Sequence, residues 1–254
     1  MTHFNDFKVA SAFLTRVRVK HSDDVEIARS ARWFPLVGLL IGFVASSVLV
    51  ILASILPFKV AICLTLIFSV FVTGGFHQDG LADIFDGLVG GWNPTDRLRI
   101  LKDSRHGTYG VLAIVLQTLL QYVILSSLQL HVALIAVTVS HGLARLVPLF
   151  LMRTKAVPGH EGMGARTVDK SKRSDLILPT VISVLLLLII CGLHTLGIAL
   201  ALIIANLIFL KYVRAKIGGV LGDAFGAAEQ ISEDVILLYF SIISYNAIGI
   251  SWLI

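Results

Sequence analysis

From residue 34 onward, long apolar stretches alternate with short polar ones. The apolar runs fall at about 34–56, 58–76, 109–130, 132–152, 176–194, 197–213 and 235–254, each close to the roughly 20 residues a helix needs to cross hydrocarbon. They predict an all-α fold, a polytopic integral membrane helical bundle of about seven transmembrane helices. Six is the alternative, since the second run is short and the sixth runs into Lys211. No fixed repeat, low-complexity linker or break in composition divides the chain, so residues 1–254 read as one integral membrane domain. Residues 1–32 lack the uninterrupted apolar core of a cleaved signal. In them Phe4, Phe7, Phe13, Leu14 and Val17 trace one helical face, with Lys8, Arg16 and Lys20 elsewhere, which suits a helix lying in the interface.

Charge sharpens this picture into a topology. Of 21 Lys and Arg, six precede Trp33, four fall in 77–108, six in 153–175 and three in 211–234, leaving only Lys59 and Arg145. All sixteen Asp and Glu lie in the same four segments, so one membrane face is nearly uncharged. By the positive-inside rule the N-terminus and those four segments are cytoplasmic. The net charge of +5 then reflects topology and attraction to anionic lipid or phosphorylated substrates. No nucleic acid is expected as a partner, because no basic stripe with interleaved aromatics is present. With 56% hydrophobic and 15% charged residues, a soluble globular domain is excluded. Cys63 and Cys191 sit within apolar runs and read as small apolar residues.

The candidate chemistry lies in a segment too polar to cross lipid, 77–108, read as a cytoplasmic catalytic loop. Asp79, Asp83 and Asp86 are spaced i, i+4, i+7, so on a helix they share a face roughly 60° wide. Like charges at that spacing repel, and a bound cation reverses the sign; hard carboxylate oxygens favour Mg²⁺ or Mn²⁺ over zinc. Lys102, Asp103 and Arg105 follow, bringing both signs together as a site for a metal and a pyrophosphate requires. His141 and Arg145 stand i, i+4 on the fourth run, and an intramembrane Arg needs a polar cavity or a partner. Arg145 is expected to contact a phosphate or one of the aspartates. Glu161 lies in a glycine-rich loop, and Asp223 and Glu229 stand among small residues just before the last run. Asp223 is a candidate further metal ligand; His141, Lys102, Glu161 and Glu229 are candidate substrate contacts.

WFPLVGLLIG at 33–42, TGGFHQDGLADIFDG at 73–87, DSRHGTYG at 103–110, EGMG at 161–164 and GDAFGAAE at 222–229 together resemble the cobalamin synthase family, the adenosylcobinamide-GDP ribazoletransferases. The resemblance runs in order over essentially the whole chain. It implies a Mg²⁺-dependent enzyme of the bacterial inner membrane with its active site facing the cytoplasm. Such enzymes join adenosylcobinamide-GDP to α-ribazole or its 5′-phosphate, giving adenosylcobalamin or its phosphate and releasing GMP late in vitamin B12 synthesis. On this reading Asp79, Asp83, Asp86, Asp103 and Arg105 are the catalytic group, Asp83 or Asp86 being the base; the first three and Asp223 hold the metal. A homo-oligomer is compatible with the architecture. Two rivals differ in pattern. A CDP-alcohol phosphotransferase has an Ala-Arg pair after its first Asp-Gly and a GxxxDxxxD ending, whereas here Ala82 precedes Asp83 and 87–95 holds no such continuation. A divalent-cation transporter places charges near mid-membrane, whereas here every acid lies to one side.

Overall fold

The computed structural model describes residues 2–20, 27–103, 105–159, 168 and 174–245. Among these, the chain is helical with no strand beyond one β-bridge between Ala156 and Val220. The helices are α1 (Thr2–Leu14), α2 (Ile27–Ser30), α3 (Phe34–Ala53), α4 (Phe58–Thr73), α5 (Phe76–Gly90), α6 (Pro94–Ile100), α7 (Thr108–Ser127), α8 (Leu130–Ala144), α9 (Val147–Leu151), α10 (Ser174–Cys191), α11 (His194–Ile217) and α12 (Gly222–Tyr245).

Four helical stretches are long and apolar enough to cross a membrane: Ile27–Ala53, Thr108–Ser127, Leu130–Leu151 and His194–Ile217. The pair α4 and α5, bent by 89°, makes a fifth if counted together. Length and composition thus give four to five crossings among the described residues, where hydropathy predicted seven. Two runs account for the difference. The apolar part of α10 is short, Leu176–Cys191. The last run is the second half of α12, whose first half carries Asp223, Glu229, Glu233 and Asp234, and residues 246–254 lie outside the described residues. The run 132–152 is two helices, α8 and α9. Pro148 in the first turn of α9 lacks the N–H and crowds the preceding turn, so the α8 ladder stops at Arg145.

The segment read as a loop at 77–108 is mostly helix, α5 and α6. Its corner with α4 is made by Gly74 and Gly75, both left-handed (φ 71° and 68°), which glycine adopts without a Cβ penalty. The N-terminal helix closes over that corner. The Arg16 backbone N–H donates to the Val72 carbonyl (2.8 Å), and Phe13 stacks on Phe34 and meets Phe76 edge-on (ring centroids 5.5 and 5.0 Å). Asp6, fully buried, receives Arg29 (2.9 Å) and Arg32 (2.6 Å). The predicted N-terminal helix therefore exists, but it turns Ala10 and Leu14 into protein, because two arginines, one in α2 and one in the turn before α3, fasten its acidic side.

Small residues bring the helices that matter close together. A side chain at Gly42 of α3 would come within 2.8 Å of the Thr138 backbone on α8. At Gly80 of α5 it would lie 2.9 Å from the Asp223 carbonyl, and at Gly226 of α12 it would lie 3.2 Å from the His77 carbonyl. The α5–α12 crossing is thus glycine on glycine, and it sets Asp79 and Asp83 beside Asp223. The segment ahead of α12 is held by backbone bonds from Val157 to Val220 (3.0 Å) and from Val220 to Lys155 (2.9 Å).

Candidate active site

Helix α5 carries the aspartates as the spacing predicted, but it does not use them alike. Asp79 is open, its side chain 61% exposed, and Asp83 is 22% exposed. His106, from the segment before α7, reaches both: its Nε2 lies 3.3 Å from Asp79 and its Nδ1 3.4 Å from Asp83. Asp223 joins them from the first turn of α12. Burial, then the negative charge of Asp79, pushes the Asp83 carboxyl up to about 6. Burial, then Asp83 and Asp79, pushes Asp223 up to about 7. Three carboxylates therefore feel one another without enough positive charge to balance them.

Asp86 faces the other way. It is buried and accepts the backbone N–H groups of Gly107 (2.6 Å) and Gly110 (2.9 Å), the free donors at the start of α7. Both glycines are required by this contact: a Cβ at Gly107 would lie 2.6 Å from the carboxylate, and one at Gly110 closer still. Asp86 was expected beside the metal. Instead its two oxygens are engaged in fixing α7, and with it His106, against α5.

Arg145 also has partners other than those expected. It is 1% exposed. Its Nη1 lies 2.9 Å from Glu229 and 3.2 Å from Glu233, and it donates to the His141 carbonyl at 2.7 Å. His141 Nδ1 lies 2.6 Å from the same Glu233 oxygen, and His77 Nδ1 lies 3.3 Å from Glu229. Gln230 donates to Glu229 (2.7 Å) and accepts from Gln117 (2.6 Å), while Gln121 donates to Asp234 (2.9 Å). Arg145, Glu229 and His141, read as substrate contacts, thus form the interior of an ion network that ties α8 to α12. An intramembrane cation needs a counter-charge, and the acids nearest it belong to α12, not α5.

Of the remaining candidates, Arg105 is mostly exposed and holds Asp103 through two bonds, 3.0 and 2.7 Å. That bidentate pair pulls the Asp103 carboxyl down to about 2. Arg105 therefore meets an acid of its own loop. Lys102 is exposed, and Glu161 lies outside the described residues. Glu233 and His77 were not singled out by sequence. The first had a legible signal, since Glu229 and Glu233 repeat the i, i+4 spacing of His141 and Arg145 on a second helix.

A cavity of about 260 Å³ opens at the acids, lined among others by Phe13, Phe76, His77, Asp79, Arg145 and Asp223. Among the described residues no three His, Cys, Asp or Glu side chains already converge as a ligand set. Mg²⁺ does not demand one: it keeps several waters and takes one or two carboxylates plus substrate phosphates. The mutual charge of Asp79, Asp83 and Asp223 suits an open site of that kind.

Comparison with known proteins agrees over the length of the chain. The cobalamin-5-phosphate synthase family profile matches residues 6–241. A protein of Shewanella baltica (strain OS155), described as an adenosylcobinamide-GDP ribazoletransferase, is 37% identical over 242 residues, 92% of both chains. One of the same description from Shewanella oneidensis is 36% identical over 250 residues, 95% of both. No solved structure matches.

Proposed function

The chain belongs to the cobalamin-5-phosphate synthase family, and from that premise we propose how its own residues do the work. It is a transferase of a late step of cobalamin biosynthesis, with a membrane-embedded helical fold. Its donor is adenosylcobinamide-GDP and its acceptor α-ribazole or α-ribazole 5′-phosphate; the reaction releases GMP and gives adenosylcobalamin or its 5′-phosphate. The charge pattern supports a bacterial inner membrane location with the site facing the cytoplasm.

The observation that carries the residue assignment is the trio Asp79, Asp83 and Asp223 at the glycine crossing of α5 and α12, with His106 touching two of them. Asp79 and Asp223 would hold the Mg²⁺, whose charge would offset that of the pyrophosphate, and Asp83 faces the attacking hydroxyl. The cation, when bound, neutralises charge on the phosphoryl oxygens. A carboxyl shifted to about 6 is suited to accept a proton near neutral pH. As Asp83 takes the proton, the acceptor oxygen bonds to the phosphorus that carries cobinamide. The bond from that phosphorus to the bridging oxygen of the diphosphate breaks, and GMP leaves with the electron pair. His106 orients Asp79 and Asp83, and Asp86 holds His106 in reach through α7. The phosphotransferase and transporter readings are not favoured by the relatives.

The test is GMP release by the purified protein with both substrates and Mg²⁺. The expected result is one GMP per corrinoid product, lost on chelation. Absence of GMP from folded protein, or near-wild-type turnover by both Asp79→Asn and Asp83→Asn, would overturn the assignment.

A further inference from the structure

The larger cavity near the site is not the one into which Asp79 opens. It measures about 550 Å³ and lies between α4, α7, α8 and α12. That is within the usual range of small-molecule sites, and the 260 Å³ cavity falls short of it. Its mouth, between α4 and α7, is rimmed by the exposed apolar side chains Phe71, Val115 and Leu119.

Apolar walls alone would suit a lipid tail, but the inner end is built differently. Ser69, Gln121, Ser140, His141 and Glu233 line it, each less than a tenth exposed. The side-chain carbonyl of Gln78 is also there, buried and without a hydrogen-bond partner. An orphaned acceptor is costly and calls for a donor. No Lys or Arg lines the cavity and Glu233 does, so the part of a ligand that enters carries no phosphate. The position of Gln78 completes the argument. Gln78 lines this cavity and the next residue, Asp79, lines the other, so α5 is their common wall.

We propose that this cavity holds the base end of the acceptor nucleoside: a flat, uncharged aromatic base between α4 and α7, with its ribose at the polar end. The proposal rests on the transferase reading above. Tyr122, Leu66 and Leu119 face the ring, and a ribose hydroxyl donates to the Gln78 carbonyl. The sugar then lies against α5, one residue from the acids, and a 5′-phosphate, where there is one, stays outside the apolar walls.

Two variants test this in nanodiscs, with α-ribazole as the probe. Thr118→Trp fills the mouth from an exposed position of α7, and Gln78→Leu removes the orphaned acceptor at similar volume. Equilibrium dialysis of α-ribazole, without Mg²⁺ or the GDP substrate, should show about tenfold weaker binding for each variant, the loss expected from one buried hydrogen bond or a blocked entrance. In turnover the acceptor KM should rise by about the same factor while the adenosylcobinamide-GDP KM stays within about twofold. Unchanged acceptor binding in both variants, as with a lipid chain seated there, overturns the proposal, and so does a matched rise in both KM values. Wild-type protein that binds α-ribazole in the cavity but yields no GMP would instead refute the transferase reading.

Discussion

Asp86 provides a direct test of whether an aspartate of the motif serves structure or chemistry. Its carboxylate receives two backbone N–H bonds, 2.6 and 2.9 Å. A bond to a charged group contributes about 1.5–3 kcal/mol, and a negative charge at a helix start adds about 0.3–1 kcal/mol. Asp86→Ala should therefore destabilise the protein by about 3–7 kcal/mol. At roughly 2–4 °C per kcal/mol for a chain of this size, the melting temperature falls by on the order of 10 °C. Asp86→Asn keeps one acceptor oxygen but turns an NH₂ group towards the other N–H, and should lose about half as much. Asp83→Asn removes a carboxylate that holds no backbone group and is repelled by Asp79, so its melting temperature should not fall. Circular dichroism melts in detergent, run beside GMP release, read both effects. If Asp86→Ala melted within about 2 °C of wild type yet had lost turnover, Asp86 would act on the reaction and the capping argument would be wrong.

Asp79→Asn and Asp83→Asn should lower turnover by about 10²–10⁴-fold with unchanged melting temperatures, measured on protein purified at normal yield. Glu229→Ala leaves the buried Arg145 short of charge and should cost about 3–5 kcal/mol; adding Arg145→Met should recover part of it in the same melt. The acid cluster sets a pH dependence with a defined sign. Asp83, at about 6, and Asp223, at about 7, bind protons more tightly folded than unfolded. Their contribution is thus present at low pH and lost as pH rises from about 4 to about 7. The difference in melting temperature between pH 5 and pH 7.5 should shrink in Asp83→Asn and Asp223→Asn and on adding Mg²⁺; an equal difference in all cases would count against the cluster. Gly110→Ala drives a Cβ into the Asp86 carboxylate and should lower the melting temperature as Asp86→Asn does.

The helical face of α5 was legible in the sequence because side-chain direction on a helix depends only on spacing. The division of labour on that face was not, because the partners of Asp86 lie 21 and 24 residues away and only folding delivers their N–H groups. Arg145 was rightly singled out as an intramembrane charge in need of a partner. The partner was misplaced because charges were grouped by segment. Glu229 and Glu233 fall in a polar stretch of the sequence, yet α12 runs unbroken from Gly222 to Tyr245 and carries both inward. Seven apolar runs become four to five long apolar helices among the described residues because α10 is short and the apolar half of α12 follows four acids. Hydropathy records how apolar a run is, not how α8 breaks at Arg145 or how α4 turns at Gly74. The larger cavity had no linear signature, since its polar end is assembled from five helices.

The corner at Gly74 and Gly75 bears on how this protein responds to the lipid around it. A helix that crosses a bilayer tilts when the bilayer thickens or thins. Through a bend of 89°, tilt of α4 becomes a swing of α5, and a swing leaves the spacing of Asp79 and Asp83 untouched because both ride on one rigid rod. What it alters is their separation from Asp223, which is anchored on α12. The close packing of Gly80 on Asp223 and Gly226 resists that change, so reconstitution in lipids of graded thickness should alter GMP release only once the mismatch loosens this crossing.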